Sequence, residues 1–487
     1  MNSPLFEYDI RGLLQAFFPW EKFETEEAPG EDALSVFFFR TEGDLNLPVL
    51  VEDRGVFRSE IRFTFSGKTD SKTVLFDRSD PMAKTNVKKA IYALLSGATK
   101  KTLPWGTLTG IRPTKIATEM LEGGSSEEAV KAHLTDDLLV SEGKALLACE
   151  IARREKAMLS RFKTEGISLY VGIPFCPTTC LYCSFSSFTI GAYKNRIPEY
   201  LDSVEAEIDA VKSLFPNTPV HSVYFGGGTP TSLETADLER LIKKVLVTFS
   251  LPEGIEWTVE AGRPDSVTEE KLRMLRSFPV TRISVNPQTL HQKTLDLIGR
   301  KHTVADFYRA FDLARKAGFG NINTDLILGL PGETSEDMTK TLDGIASLAP
   351  ESVTIHSLAV KRSSRLNLEK QTYLGYRMEN TESLMDHAEK MLKGIGLRPY
   401  YLYRQKNMAG NLENVGYALP GLECDYNVLI MEETESILAV GAGASTKRVD
   451  HGRITRSVNP HDVNTYLATL PELIEKKKRL FTGPESI

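Results

Sequence analysis

The chain has 487 residues, of which 41% are hydrophobic and 25% are charged, and its formal net charge at pH 7 is −6. This length indicates more than one domain, and the composition is that of an ordinary globular protein. The negative charge gives no electrostatic case for nucleic-acid binding. We find no apolar run long enough to span a membrane and no basic-then-apolar leader, so a cytoplasmic protein is expected.

The first 165 residues predict a small α+β domain followed by a helical linker, with boundaries at 1–120 and 121–165. Strand-like runs bounded by Gly and Asp begin this region, and an apolar periodicity typical of helices ends it. The predicted elements are strands over 34–40 and 55–66, a turn-rich stretch over 104–112, and a helical stretch over 125–159.

From residue 167 onward, six strand-like runs alternate with helical patterns. The strands are predicted over 167–173, 220–225, 255–260, 281–285, 321–327 and 352–356. The helices are predicted over 198–214, 236–249, 269–276, 304–317 and 335–348. Such alternation is typical of parallel β/α units, and six units predict a partial (β/α)6 barrel over 166–375. Residues 376–487 are predicted to form an α+β extension that covers the substrate, with a helix over 380–394 and strands over 397–404 and 437–441.

Polar residues and glycines collect where the predicted strands end. In β/α barrels, chemistry is found at the carboxyl ends of the strands, so these residues are expected on one rim. They are the cysteine-containing loop after the first strand, Gly226–Thr229, Glu260, Arg263, Asn286, Gln288, Asp325 and His356. His356 is equally well explained as a packed histidine at a strand end.

Three cysteines, Cys176, Cys180 and Cys183, follow the first barrel strand in the pattern C-x3-C-x2-C. Three thiolates at this spacing are suited to three corners of a [4Fe–4S] cluster, which leaves one iron open. A structural zinc site would need a fourth ligand from Cys149, Cys424 or a distant histidine. A thioredoxin-like pair at the last two cysteines is a further alternative, and a disulfide framework is disfavoured by so few cysteines.

The motifs around these positions read YxxIPFCxxxCxYCxF, YFGGGTPT, VEA and DLILGLPGET. Together they closely resemble the radical SAM superfamily, and within it the oxygen-independent coproporphyrinogen III oxidase group and its HemZ-type branch. The resemblance covers about residues 165–360, and a weaker likeness at 110–115 extends it into the first domain.

The resemblance implies that the three cysteines bind a [4Fe–4S] cluster whose open iron is chelated by S-adenosylmethionine (SAM). It also implies a set of residues that contact SAM along the rim. These residues are Tyr170, Tyr182, Gly226, Gly227, Gly228, Thr229, Glu260, Gln288, Arg300 and Asp325.

The implied reaction takes one electron from a flavodoxin- or ferredoxin-type donor, splits SAM and abstracts a hydrogen atom from a propionate of coproporphyrinogen III. Loss of carbon dioxide then leaves a vinyl group. Propionates call for cationic partners, and Arg263, Arg282 and Arg404 are candidates, with Arg263 on the rim preferred. The resemblance also implies a monomer.

Two positions depart from the pattern of the better-known oxidases. Phe185 stands where they carry a further cysteine, and Asn286-Pro287 stands where Gly-Val is usual. Haem chaperones of the same fold carry an HNxxYW stretch, of which this chain keeps Asn414 and Tyr417. A haem-binding protein and a radical SAM enzyme that acts on haem therefore remain alternatives to the decarboxylase.

Overall fold

The computed structural model describes most of the chain. The chain divides into two units. We call Met1–Arg153 with Leu402–Glu413 the N-terminal unit, and Arg154–Tyr401 with Asn414–Ile487 the barrel unit. The described residues are 6–18, 23–26, 36–39, 43–46, 49–53, 56–77, 80–162, 165–185, 187–361, 363–373, 375–378, 380–405 and 408–482.

The N-terminal unit contains an antiparallel six-stranded sheet, in which β6 pairs with β5 off the path β1-β2-β3-β5-β4. Its buried core includes Leu13 and Phe17 of the first helix, Phe63 of the sheet and Ile91 of the second helix. The predicted strands over 34–40 and 55–66 correspond to β2 and β5. The elements are α1 Glu7–Phe17, β1 Phe23–Glu26, β2 Val36–Phe39, β3 Gly43–Asn46, β4 Val49–Asp53, β5 Val56–Phe65, β6 Lys68–Asp77, α2 Ala83–Thr99, α3 Thr114–Glu122, α4 Glu127–Ala132 and α5 Glu142–Leu159.

The helical stretch predicted over 125–159 is broken in the structure. After α4, a π-helical turn covers His133–Asp137, and Leu139 adopts a left-handed φ of 58° before α5 begins. At the break, the backbone forms a hydrogen bond outside the helix, from the Ser141 N–H to the Pro104 carbonyl at 2.9 Å. Apolar periodicity continues through the break, which is why the sequence alone predicts one stretch.

The barrel unit confirms the predicted partial (β/α)6 barrel. Six parallel strands lie side by side in the order β7-β10-β11-β12-β13-β14. The first of them is buried along nearly its whole length, as is typical of a strand inside a parallel sheet. The elements are β7 Ile167–Ile173, β8 Phe175–Cys176, β9 Phe188–Thr189, α6 Ile190–Tyr193, α7 Ile197–Leu214, β10 Val220–Gly227, α8 Thr235–Thr248, β11 Glu256–Glu260, α9 Glu269–Arg276, β12 Arg282–Ser284, α10 Gln292–Leu297, α11 Val304–Lys316, β13 Ile322–Leu328, α12 Ser335–Ser347 and β14 Ser352–Ser357.

The C-terminal region extends the barrel sheet at both edges. β17 pairs in parallel with β7, and β16 pairs antiparallel with β14, so that one sheet has eleven strands. Sequence analysis predicts the extension but not these pairings, which join residues far apart in the chain. The elements are α13 Arg365–Leu368, α14 Lys370–Tyr373, α15 Glu382–Gly394, β15 Arg398–Tyr403, β16 Asn414–Ala418, α16 Asp425–Glu432, β17 Ser436–Val440, β18 Ser445–Asp450, β19 Arg453–Val458 and α17 Val463–Thr482.

A buried carboxylate anchors the C-terminal helix to the barrel. Glu207 of α7 has 0% exposure and forms an ion pair with Lys477 of α17, which is 1% exposed. The Tyr466 hydroxyl donates to the same carboxylate at 2.8 Å, as do the Asn459 amide at 2.9 Å and the Gly441 N–H at 2.7 Å. A buried charge with this many partners is well compensated, so it fixes α17 and the loop after β17 in place.

Candidate functional site

The three cysteines lie on the loop that leaves the carboxyl end of β7, and all five cysteines of the chain are free thiols. Cys180 is buried, whereas Cys176 and Cys183 are partly exposed. Short backbone hydrogen bonds hold the loop, among them one from the Phe188 N–H to the Pro174 carbonyl at 2.7 Å. The structure therefore presents the cysteines at one rim of the barrel, as predicted.

Two of the three thiols lie beside a hydroxyl group. The Cys176 sulfur lies 3.4 Å from the Thr229 hydroxyl, and the Cys183 sulfur lies 3.5 Å from the Ser187 hydroxyl. Burial raises the pKa of Cys176 to about 12 and also raises the pKa of Cys183. These thiols stay protonated at neutral pH unless a positive centre compensates the thiolate, and bound iron supplies such a centre.

Among the described residues, no group of three or more His, Cys, Asp or Glu converges closely enough to hold a single metal ion. The three thiolates of a [4Fe–4S] cluster bind different iron atoms, so a cluster does not require them to converge on one point.

The glycine run at the end of β10 lies directly against the cysteine loop. The Gly228 N–H donates to the Ile173 carbonyl at 2.8 Å, and the Thr229 N–H donates to the Phe175 carbonyl at 2.7 Å. A Cβ at Gly228 would lie 2.7 Å from the Phe175 oxygen, and Gly227 has a φ of 108° that disfavours other residues. Glycine is required here because two backbones approach each other without room for side chains.

Glu260, at the end of β11, stands beside this glycine run. Tyr224 donates its hydroxyl hydrogen to the Glu260 carboxylate at 2.5 Å. Burial raises the pKa of Glu260 to about 7, although the hydrogen bonds from Tyr224 and the Gly227 N–H act in the opposite direction. Burial, and next the Glu260 charge, raise the pKa of Tyr170, whose ring lies 6.0 Å from that of Tyr224. The Glu260 carboxyl group can therefore be neutral or charged near neutral pH.

Gln288 occupies the rim beyond β12 in a strained conformation. Its φ is 68°, and its side-chain oxygen is buried without a hydrogen-bond partner among the described residues. The neighbouring Asp325 carboxylate accepts hydrogen bonds from Asn286 at 2.8 Å and Asn323 at 2.7 Å, and lies 3.9 Å from the His356 ring. An unsatisfied buried acceptor in a strained residue is a feature of ligand sites.

Arg300 and Tyr182 meet at the same rim. The Arg300 guanidinium donates to the Tyr182 hydroxyl at 3.3 Å and to the Gly262 carbonyl at 2.9 Å. It also lies 3.7 Å from the Cys180 sulfur. The structure thus brings both predicted residues next to the cysteine loop.

The three arginines considered for substrate propionates have different surroundings. Arg263 is 2% exposed at the rim, and its guanidinium forms an ion pair with Asp265 at 2.8 Å. Arg282 is 1% exposed and donates to the Ser352 hydroxyl at 3.2 Å, while Arg404 belongs to the N-terminal unit. The role of Arg263 in substrate binding stays a prediction.

Sequence reasoning missed four residues that support this rim. Tyr224 holds Glu260, Thr178 and Asp265 hold Arg263, and His302 is buried with both ring nitrogens lacking a partner among the described residues. An Arg-Pro-Asp sequence beside the predicted Glu260 was the available signal for Asp265. Tyr224 is the first residue of the YFGGGTPT motif, and the other two are recognisable only from tertiary contacts.

The donors on this rim suit a [4Fe–4S] cluster with SAM. Three free thiols stand on one loop, a glycine-lined strand end packs directly against that loop, and Gln288 offers an unused buried acceptor. Thiolates are the usual ligands of such clusters, and unused polar groups suit a charged, hydroxylated ligand.

Comparison with known proteins agrees with this geometry. A family model described as the radical SAM superfamily matches residues 170–345. The solved structure of coproporphyrinogen III oxidase (HemN) from Escherichia coli, described as a radical SAM enzyme, superposes with a TM-score of 0.51 at 23% identity, covering 65% of this chain and 71% of that one. The fold is thus the α/β radical SAM fold.

Two curated relatives refine the assignment. The oxygen-independent coproporphyrinogen-III oxidase-like protein HemZ of Bacillus subtilis (strain 168) is 38% identical over 90% of this chain and 88% of the relative. The heme chaperone HemW of the same organism is 32% identical over 63% of this chain and 76% of the relative. The chain belongs to the radical SAM superfamily, in the oxygen-independent coproporphyrinogen III oxidase group and its HemZ-type branch.

Membership of this superfamily implies SAM and a [4Fe–4S] cluster as cofactors. A further structural finding concerns membranes: none of the helices in the described part of the chain combines the length and apolarity needed to cross a bilayer.

Proposed function

We propose that the chain is a radical SAM coproporphyrinogen III dehydrogenase, which converts propionate side chains to vinyl groups by oxidative decarboxylation. The observation that supports this most is the gathering of three free thiols and an unsatisfied, strained Gln288 at one barrel rim. The substrate class is supported by the relative from Bacillus subtilis that is named as coproporphyrinogen-III oxidase-like, of which the match with this chain covers 88%.

In this proposal Cys176, Cys180 and Cys183 hold the cluster, and the rim holds SAM. When bound, the two cofactors supply a carbon-centred radical able to remove a hydrogen atom from an unactivated carbon. The SAM-binding residues in this proposal are Tyr170, Tyr182, Gly226, Gly227, Gly228, Thr229, Glu260, Gln288, Arg300 and Asp325.

The rim residues then act by positioning and by charge. Glu260 is kept in place by Tyr224 and presents a carboxyl group to an amino or hydroxyl group of the ligand. Asp325, oriented by two asparagines, presents its carboxylate to ribose hydroxyls. The glycine run lets the end of β10 pack directly against the cysteine loop, which places the two segments side by side at the rim.

Conversion of a propionate to a vinyl group removes one hydrogen atom, one carbon dioxide and one electron from the side chain. The hydrogen atom leaves from the carbon next to the ring, and the carboxylate carbon leaves as carbon dioxide. A flavodoxin- or ferredoxin-type protein is proposed as the donor that starts each turnover, and a one-electron acceptor of the same class takes up the electron released at the end.

One contact favours the dehydrogenase over a haem chaperone. Where the chaperones carry the histidine of HNxxYW, this chain has Glu413, which has 0% exposure. Its carboxylate accepts a hydrogen bond from the Trp105 indole at 2.7 Å and pairs with Lys144 at 2.9 Å. A carboxylate held by two buried partners is not available as a haem ligand.

The test is an anaerobic assay of the reconstituted protein with SAM, reductant and coproporphyrinogen III. We expect protoporphyrinogen to form, with loss of activity in Cys180→Ser and retention in Cys149→Ala, which alters a buried cysteine of the N-terminal unit. Stoichiometric haem binding without turnover would instead support the chaperone. SAM-dependent haem consumption would support an enzyme that acts on haem.

A further inference from the structure

The sulfur of Cys180 has a different electrostatic environment from those of Cys176 and Cys183. Two guanidinium groups approach it, that of Arg263 at 3.8 Å and that of Arg300 at 3.7 Å. The other two sulfurs have hydroxyl neighbours. Since arginine remains protonated at any physiological pH, positive charge is concentrated at one corner of the cysteine set.

Arg263 is held in this position by contacts along both edges of its guanidinium group. On one edge, Nε and Nη2 donate to the two Asp265 carboxylate oxygens at 3.0 and 2.8 Å. On the other edge, Nη1 donates to the Thr178 carbonyl at 3.1 Å and to the Thr178 hydroxyl at 2.9 Å. A bidentate ion pair of this kind fixes both the position and the plane of the group.

These contacts join two parts of the site. Thr178 lies within the cysteine loop, two residues before Cys180, whereas Arg263 and Asp265 follow β11. The Thr178 hydroxyl also donates to the Gly299 carbonyl at 3.1 Å, which links the loop to the segment that carries Arg300. The buried Arg263 guanidinium is therefore one of the contacts that hold the loop against the barrel.

We propose that Arg263 is a positioning residue for Cys180 that also sets the electron affinity of the centre bound there. The inference rests on the proposed use of the cysteines as cluster ligands. A reduced cluster carries one more negative charge than an oxidised one, so a fixed positive charge and an N–H donor beside a ligand sulfur favour reduction. Asp265 opposes this effect by its charge while it orients the arginine.

This role differs from substrate binding. A propionate that bound Arg263 bidentately would have to displace Asp265 or Thr178, since both edges are occupied. In the proposed role Arg263 keeps its partners, and the substrate carboxylate is recognised by other groups.

The experiment measures the midpoint potential of the cluster by a redox titration followed by electron paramagnetic resonance, in the full chain without substrate. The variants are Arg263→Gln, Arg263→Lys and Asp265→Asn, and the matched control is Arg240→Gln, which alters a surface ion pair on α8. Iron content is measured first, so that each potential refers to a loaded protein.

We expect Arg263→Gln to lower the ratio of reduced to oxidised cluster at a fixed potential by at least tenfold, which is a shift of about 59 mV for one electron. Arg263→Lys should recover part of the loss, and Arg240→Gln should match the unaltered protein. Asp265→Asn should shift the potential upward, because it removes a negative charge. Arg263→Gln and Asp265→Asn each replace a charged side chain by a neutral one. Shifts of the midpoint potential in opposite directions in these two variants cannot arise from general loosening of the loop.

Unchanged potentials in loaded Arg263→Gln, or shifts of the same sign in both neutral variants, would overturn the inference. If Arg263→Gln keeps the midpoint potential of the unaltered protein but loses porphyrinogen turnover, Arg263 would instead be assigned to substrate binding. If Arg263→Gln does not retain iron, the Asp265→Asn variant provides the test: an upward shift of its midpoint potential supports the inference, and a downward or absent shift contradicts it. Failure of the unaltered protein to bind iron would instead refute the proposed function, so the two failures are distinguishable.

Discussion

Two buried glutamates of the barrel unit show how its scaffold differs from its rim. Glu207, between α7 and α17, has donors on both carboxylate oxygens, including the Lys477 ammonium. Glu260, at the rim, accepts hydrogen bonds from the Tyr224 hydroxyl and the Gly227 N–H, and its pKa is raised to about 7 by burial. The buried charge of Glu207 is compensated by its hydrogen-bond donors and counter-ion. The charge of Glu260 is compensated only in part, so its carboxyl group is more easily protonated.

The same difference appears elsewhere on the rim. The Gln288 oxygen and both His302 ring nitrogens are buried and lack partners among the described residues. An unsatisfied buried polar group costs about 1 to 3 kcal/mol, and such a cost is common where a ligand later supplies the missing bonds. Polar groups that serve the fold and polar groups that serve a ligand can therefore be distinguished by how well the protein itself satisfies them.

The largest effect should come from the scaffold. Glu207→Gln leaves the buried Lys477 charge without its counter-ion, so we expect the free energy of unfolding to fall by about 3 to 5 kcal/mol. Urea denaturation measures this loss, while the SAM affinity of the folded protein should stay unchanged. The neighbouring Glu205→Gln, which breaks a partly exposed pair with Arg240, should cost about 0 to 1 kcal/mol. Equal losses in the two variants would erase the distinction.

A smaller effect on stability, but a larger one on ligand binding, is expected for Gly228→Ala. The added methyl group would lie 2.7 Å from the Phe175 carbonyl oxygen, so the strand end and the cysteine loop must separate. We expect a stability loss of about 1 to 3 kcal/mol and roughly a tenfold loss of SAM affinity by calorimetry. Gly191→Ala is the matched control, because nothing lies within 4 Å of its added methyl group. Undiminished affinity in Gly228→Ala would show that the rim does not bind through this strand end.

Glu260 should make the folding stability depend on pH. Its folded-state pKa, about 7, lies above the ordinary glutamate value of 4.5, so the folded state binds the proton more tightly than the unfolded state does. The stabilising contribution is complete below pH 4.5 and is lost as the pH rises through about 7. Glu260→Gln should remove this part of the pH dependence of ligand-free unfolding. A pH profile that is identical in the variant would place the titrating group elsewhere.

Local patterns predicted most of the barrel, because each strand and helix carries its own periodicity. The first predicted strand, 167–173, coincides with β7, and the glycine run and cysteines fall on the expected rim. Long-range pairings were not predictable in the same way. The β17 sequence reads as a short apolar strand, and nothing local indicates that it pairs with β7. The Asp265–Arg263 fork and the partners of Glu207 also depend on tertiary contacts.

The central claim is that the cysteine rim holds a [4Fe–4S] cluster whose open iron is reached by SAM. The most direct measurement is iron and sulfide content after anaerobic reconstitution, followed by paramagnetic resonance of the reduced centre with and without SAM. We predict about four irons per chain, a spectrum that changes when SAM is added, and loss of both in Cys176→Ser. Bound zinc in place of iron, or an iron centre whose spectrum does not respond to SAM, would contradict the account.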